Sequence, residues 1–125
     1  MARFGGLIGN ASKGDAGQMQ QEYARLLVEG EVIQAGYVLV RDVFLFTDRR
    51  LLLVDKQGLT GKKVEYHSLP YKSITHFAVE TAGHLDLDAE LKVWLSGMHE
   101  PITKQFTKQV DVYEVQAALA HYVCR

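Results

Sequence analysis

The chain has 125 residues, 47% hydrophobic and 23% charged, with 14 basic and 15 acidic residues for a formal net charge of −1. That length fits one self-supporting core, the composition is far from that of a disordered segment, and the charge balance leaves no global field for nucleic acid or an anionic membrane. The single cysteine, Cys124, excludes an internal disulfide framework and fits a reducing compartment, so a cytoplasmic protein is expected.

Residues 1–14, MARFGGLIGNASKG, are rich in glycine and small residues without a period and are expected to form an irregular arm ahead of one domain over 15–125. The apolar run Phe4 to Ile8 is too short and too broken by glycine for a leader or a membrane span, and neither is expected. From Asp15 the spacing changes. Asp15 can cap a helix, Met19, Tyr23, Leu26 and Leu27 follow at helical intervals, and Gly30 is a suitable stop, which predicts an amphipathic helix over 15–29. Its apolar face is expected to cover the domain's own sheet rather than a neighbour.

Strand periodicity begins after Glu31 and runs to residue 107. YVLV at 37–40 and VFLF at 43–46, separated by Arg41 and Asp42, predict a hairpin. LLLV at 51–54 is an unbroken apolar run typical of a central strand covered on both faces. QGLTG at 57–61 reads as a turn, Lys62 to Leu69 as the returning strand closed by Pro70, and Ile74 to Thr81 as the next strand. In the segment from Leu85 to Ser96, Leu85, Leu87, Ala89, Leu91, Val93 and Leu95 share one face. Asp86, Asp88, Glu90, Lys92, Trp94 and Ser96 share the other, as in a strand with one face buried. Ile102 to Phe106 is the last predicted strand. A helix over 111–124 follows, with Asp111 and Glu114 spaced as a capping box, Val110 placed to staple against Val115, and an apolar face of Val112, Val115, Leu119, Tyr122 and Val123. Seven strands followed by one amphipathic helix predict a mainly β domain in which the helix plugs a curled antiparallel sheet.

The runs LLVEGEVI at 26–33, FTDRRLLLVDKQGLTGKKVEYHSLPYKSI at 46–74 and HLDLDAELKVWLSG at 84–97 resemble the bacterial pleckstrin-homology (PH-like) domain family, formerly catalogued as a domain of unknown function. The resemblance covers nearly everything from about residue 20 onward. It implies a seven-stranded bent barrel or sandwich capped by a C-terminal helix, no enzyme activity, no cofactor, and a role as an interaction scaffold. It further implies assembly into a cyclic homo-oligomer, with a pentamer as the expected ring, and an unidentified protein partner. Eukaryotic domains of this fold often hold inositol phosphates through convergent cations across the first hairpin. Here that hairpin offers Arg41 followed at once by Asp42, so the pattern is absent.

The remaining candidates are ordinary surface chemistry set against sharper alternatives. Arg49, Arg50, Lys56, Lys62, Lys63 and Lys72 form a basic stretch, but Asp48, Asp55 and Glu65 interrupt it, as on a solvated surface. The alternative function is peripheral membrane-lipid or anion binding through Lys56, Lys62 and Lys63. The QGLTG turn lacks phosphate-loop spacing, and a strand rather than a helix follows it. Histidines 67, 76, 84, 99 and 121 never fall at ligand spacing, and Cys124 has no nucleophile signature, so neither metal binding nor catalysis is expected. Asp86, Asp88 and Glu90 are held about 7 Å apart by strand spacing, too far for one cation. With Trp94 on the same outward face they are the expected oligomer or partner interface, since indoles are enriched at such contacts.

Overall fold

The computed structural model describes residues 15–39, 42–57, 63–81, 89–106 and 111–125. Within them the elements run α1 (Ala16–Glu22), a 3-10 turn (Ala24–Leu26), β1 (Ile33–Val38), β2 (Asp42–Thr47), β3 (Arg50–Gln57), β4 (Lys63–Pro70) and a second 3-10 turn (Tyr71–Ser73). They continue with β5 (Ile74–Thr81), β6 (Ala89–Leu95), β7 (Ile102–Phe106) and α2 (Val112–Val123). Two antiparallel sheets result, ordered β1-β2-β3-β4 and β5-β6-β7. The mainly β architecture with seven strands and a closing helix is therefore present as expected.

The unbroken apolar runs have a direct cause. In β2 and β3, Phe44, Phe46, Leu51 and Leu53 face the second sheet and α2, while Val43, Leu45, Leu52 and Val54 face α1. Both faces of the central strands β2 and β3 are thus buried, and alternation disappears from them. Each fully buried Leu or Phe contributes about 2 kcal/mol relative to exposure, so this strand pair anchors the domain. The second sheet is covered on one side: Leu91, Val93 and Phe106 enter the core while Glu90, Lys92 and Trp94 do not, which preserves the alternation in β6. Helix α2 inserts Val112, Val115, Ala118, Leu119 and Tyr122 between the sheets. Its N-cap Asp111 accepts a hydrogen bond from the Tyr113 N–H, and Tyr37 Oη donates to Glu114 Oε2 at 2.9 Å, tying the helix to β1.

Helix α1 is shorter than its sequence spacing predicts. Asp15 caps it as expected, accepting from the Gly17 and Gln18 N–H groups, and Met19 and Tyr23 pack on the sheet's outer face. The helix ends at Glu22, however, because the backbone beyond has other partners. The Leu26 carbonyl accepts from the Arg50 guanidinium, and the Val28 N–H donates to Glu31 Oε1. Gly30, with φ of +86°, turns the chain into β1 rather than closing a helix. Strand β1 begins at Ile33, earlier than the aromatic run suggests. Its middle holds Gly36, where a Cβ would lie 2.1 Å from Met19 Sδ, so the residue that blunts the strand signal is the one that lets α1 approach.

The arm at 1–14, the hairpin residue Arg41, turn residues 58–61, Lys62, residues 82–88 and Val110 lie outside the described residues.

Candidate functional site

The outer face of the second sheet is fixed by strand register. His76 pairs with Trp94, Ala78 with Lys92 and Glu80 with Glu90; across β6, Lys92 pairs with Thr103 and Glu90 with Gln105. Cross-strand partners share a face, so these residues form one three-strand surface turned away from the core. Lys92 Nζ sits 3.3 Å from Glu80 Oε1 and 4.0 Å from Glu90 Oε1. Trp94 is half-buried, because its ring stacks on His76 at 4.4 Å with an interplanar angle of 13°. Thr75 Oγ1 donates to the Trp94 carbonyl at 3.2 Å and lies 2.9 Å from His76 Nδ1. Of the four residues expected at the interface, Glu90 and Trp94 share this surface, while Asp86 and Asp88 lie outside the described residues. His76 was not singled out in the sequence; its pairing with Trp94 depends on a register shift between Ile74 and His76 that periodicity does not reveal.

Among the described residues, the basic stretch at 49–72 is divided between different places on the fold. Arg50 turns inward and is absorbed by Glu31, whose side chain is only 1% exposed: its Nε and Nη2 donate to Glu31 Oε2 and Oε1, each at 2.9 Å. Thr47 Oγ1 donates to the same carboxylate at 2.7 Å. Burial alone would push the Glu31 carboxyl up. The hydrogen bonds from Arg50, Thr47 and the Val28 N–H outweigh it and hold the group down at about 2. No sequence reading singled out Glu31; the clue was a charged residue wedged between Gly30 and the apolar start of β1.

Lys56 and Lys63 stand at the opposite end of β3 and β4. Lys56 pairs with Val64 and Gln57 with Lys63, so the two lysines project from opposite faces of the sheet. Nearby, Asp42 and Asp55 are direct cross-strand partners, and Lys104 of β7 reaches across from the second sheet to 3.7 Å and 3.3 Å from them. Burial raises the Asp42 pKa, Lys104 opposes that shift, and the neighbouring Asp55 adds to it. The end of the sandwich nearest the first hairpin therefore presents carboxylates beside its cations.

Arg49 and Lys72 both line a cleft of about 460 Å³ at the other end, beside the end of α2. Among the described residues no group of three His, Cys, Asp or Glu side chains is arranged to hold a metal, and no helix is long and apolar enough to cross a membrane.

The comparisons with known proteins agree with this architecture. A family profile described as bacterial PH domain matches residues 3–123. The uncharacterized protein YjqA of Bacillus subtilis (strain 168) is 54% identical over 121 residues, covering 96% of this chain and 97% of that protein. The crystal structure of a pleckstrin homology domain from Shewanella amazonensis SB2B superposes with a TM-score of 0.83 at 53% identity, over 92% of this chain and 93% of that one. A protein with a pleckstrin-homology domain from Shewanella loihica PV-4 gives a TM-score of 0.80 at 47% identity, over 93% and 99% of the two chains.

Proposed function

Because the chain belongs to the bacterial PH domain family, we propose that it works as a non-catalytic interaction module. In this reading it assembles with copies of itself into a closed ring through the outer face of β5-β6-β7, and the ring offers a polar surface near the subunit junctions to a protein partner. The observation that carries the reading is the His76–Trp94 stack beside the Lys92 ion pairs, on a sheet face whose other side alone enters the core. An indole held rigid by a stacked neighbour and flanked by charge has the mixed apolar and polar character of contact residues.

Ring closure requires two unlike patches on each subunit. Strands β4 and β5 are candidate edges for the two patches, since each stands at the end of a different sheet among the described residues and the two differ in their burial pattern. Native mass spectrometry at micromolar concentration tests the reading. The expected species is a pentamer at five times the 14.0 kDa chain mass. A clean monomer would overturn the scaffold reading, and another closed stoichiometry would correct the ring size.

A further inference from the structure

The cleft at the β2–β3 end is lined by parts of three elements that sequence keeps far apart: the turn after β2, the 3-10 turn before β5 and the end of α2. One wall is aromatic and rigid. Tyr71 and Tyr122 stack at 4.8 Å with 10° between their planes, and Tyr122 stacks in turn on the fully buried Phe46 at 5.8 Å and 15°. Tyr71 Oη donates to the Thr47 carbonyl at 2.7 Å, and Tyr122 Oη to Gln34 Oε1, so neither ring is free to swing. Pro70 and Val123 extend this wall.

The rim carries charge of one predominant sign. Arg49, Lys72 and Arg125 line the cleft with Asp48 as the only side-chain carboxylate among its described lining residues, three cationic side chains against one anionic one. Asp48 is committed elsewhere: its Oδ1 accepts from the Val32 N–H at 3.0 Å, and its Oδ2 is 3.9 Å from Arg49 Nε, a loose exposed pair. Lys72 is exposed and makes no ion pair among the described residues. The Arg125 guanidinium lies 5.8 Å from the Tyr122 ring centroid, at the junction of the wall and the rim.

We propose that this cleft is a binding site for a small organic anion that joins a flat aromatic body to a phosphate or carboxylate. Its volume lies within the usual range for small-ligand sites, and the ring stack is organised before any ligand arrives. The aromatic body packs against Tyr71, the partly exposed member of the wall that the buried Tyr122 backs, while its anionic group meets Arg49, Lys72 and Arg125, each contact charge-assisted. A bare inorganic anion would use only the rim and leave the wall empty. The site is separate from the outer face of β5-β6-β7 and does not depend on ring assembly.

Amide-detected NMR titration of the whole chain tests the assignment, with phenyl phosphate, benzoate and inorganic phosphate as probes. Saturable shifts are expected at Tyr71, Lys72, Tyr122 and Val123 for the two aromatic anions. Affinity should fall as ionic strength rises from about 0.05 M to about 0.5 M. Phenyl phosphate should bind about tenfold more weakly to the Arg49→Gln, Lys72→Gln double variant, and inorganic phosphate about tenfold more weakly than phenyl phosphate to the unmodified protein. The Lys56→Gln, Lys63→Gln variant, altered at the far end of β3 and β4, should keep the original affinity. If the double variant fails to fold, Lys72→Gln alone, at an exposed position, replaces it. The proposal is overturned if neither aromatic anion gives a saturable shift up to about 10 mM, if loss of the cations leaves affinity unchanged, or if inorganic phosphate matches phenyl phosphate.

Discussion

The two ends of the sandwich each place a cation against carboxylates between packed elements, and they do so with opposite results. At one end Arg50 meets the single carboxylate of Glu31 in a two-point contact, Thr47 and the Val28 N–H complete its coordination, and the acid stays ionised with its pKa held down. At the other end Lys104 stands between two carboxylates at longer range, and Asp42 is pushed up instead. Burial opposes the charged form in both places. The planar guanidinium and the extra donors reverse that penalty at Glu31, while one ammonium shared by two acids does not at Asp42. A buried charge is a fixed part of the fold only where its hydrogen bonds are complete.

The sharpest way to break the contrast is Arg50→Met, which keeps side-chain bulk but strands the Glu31 carboxylate. A loss of about 3–5 kcal/mol is expected in urea unfolding, and a loss below about 1 kcal/mol would show that the pair does not hold the fold. Acid titration gives the next largest effect. The Glu31 pKa is lower folded than its ordinary 4.5, so its stabilisation is complete above about pH 5 and is lost as pH falls toward about 2. That loss is on the order of 3 kcal/mol, and it should be absent when the same acid series is run on Glu31→Gln.

Asp42 should behave in the opposite sense. Its raised pKa means that the folded state holds the proton more tightly than the unfolded one, so its contribution weakens stability as pH rises through that range. Asp42→Asn, which leaves Lys104 its contact with Asp55, is therefore expected to be neutral or to stabilise by up to about 1 kcal/mol at pH 7. A destabilisation as large as that of Arg50→Met would erase the distinction between the two ends.

Much of this fold is legible in the sequence because local periodicity carries it. The run Leu51 to Val54 announces a strand buried on both sides, the alternation through Leu91, Val93 and Leu95 announces one buried on a single side, and Asp111 marks the start of α2. The charge clusters are illegible for the converse reason. Glu31 and Arg50 are 19 residues apart, and Lys104 and Asp55 are 49 apart, so neither contact leaves a spacing signal. The basic stretch from Arg49 to Lys72 looks continuous in sequence, yet strand reversal sends Arg50 inward, Lys56 and Lys63 to one end, and Arg49 and Lys72 to the other. Trp94 was readable as an outward residue; its partner His76 was not, since a bulge sets their register.

The smallest expected effect on stability is also the most direct test of the proposed role. Trp94 covers His76 on the outer face and contributes nothing to the central core cluster, so Trp94→Ala should leave the thermal midpoint within a few degrees of the unmodified protein. Sedimentation velocity of the two proteins side by side, at equal micromolar concentration, is the deciding measurement. The account predicts that the unmodified chain sediments as a multi-subunit ring and that Trp94→Ala shifts toward smaller species while remaining folded. An identical sedimentation coefficient for both would contradict the assignment of this face to assembly.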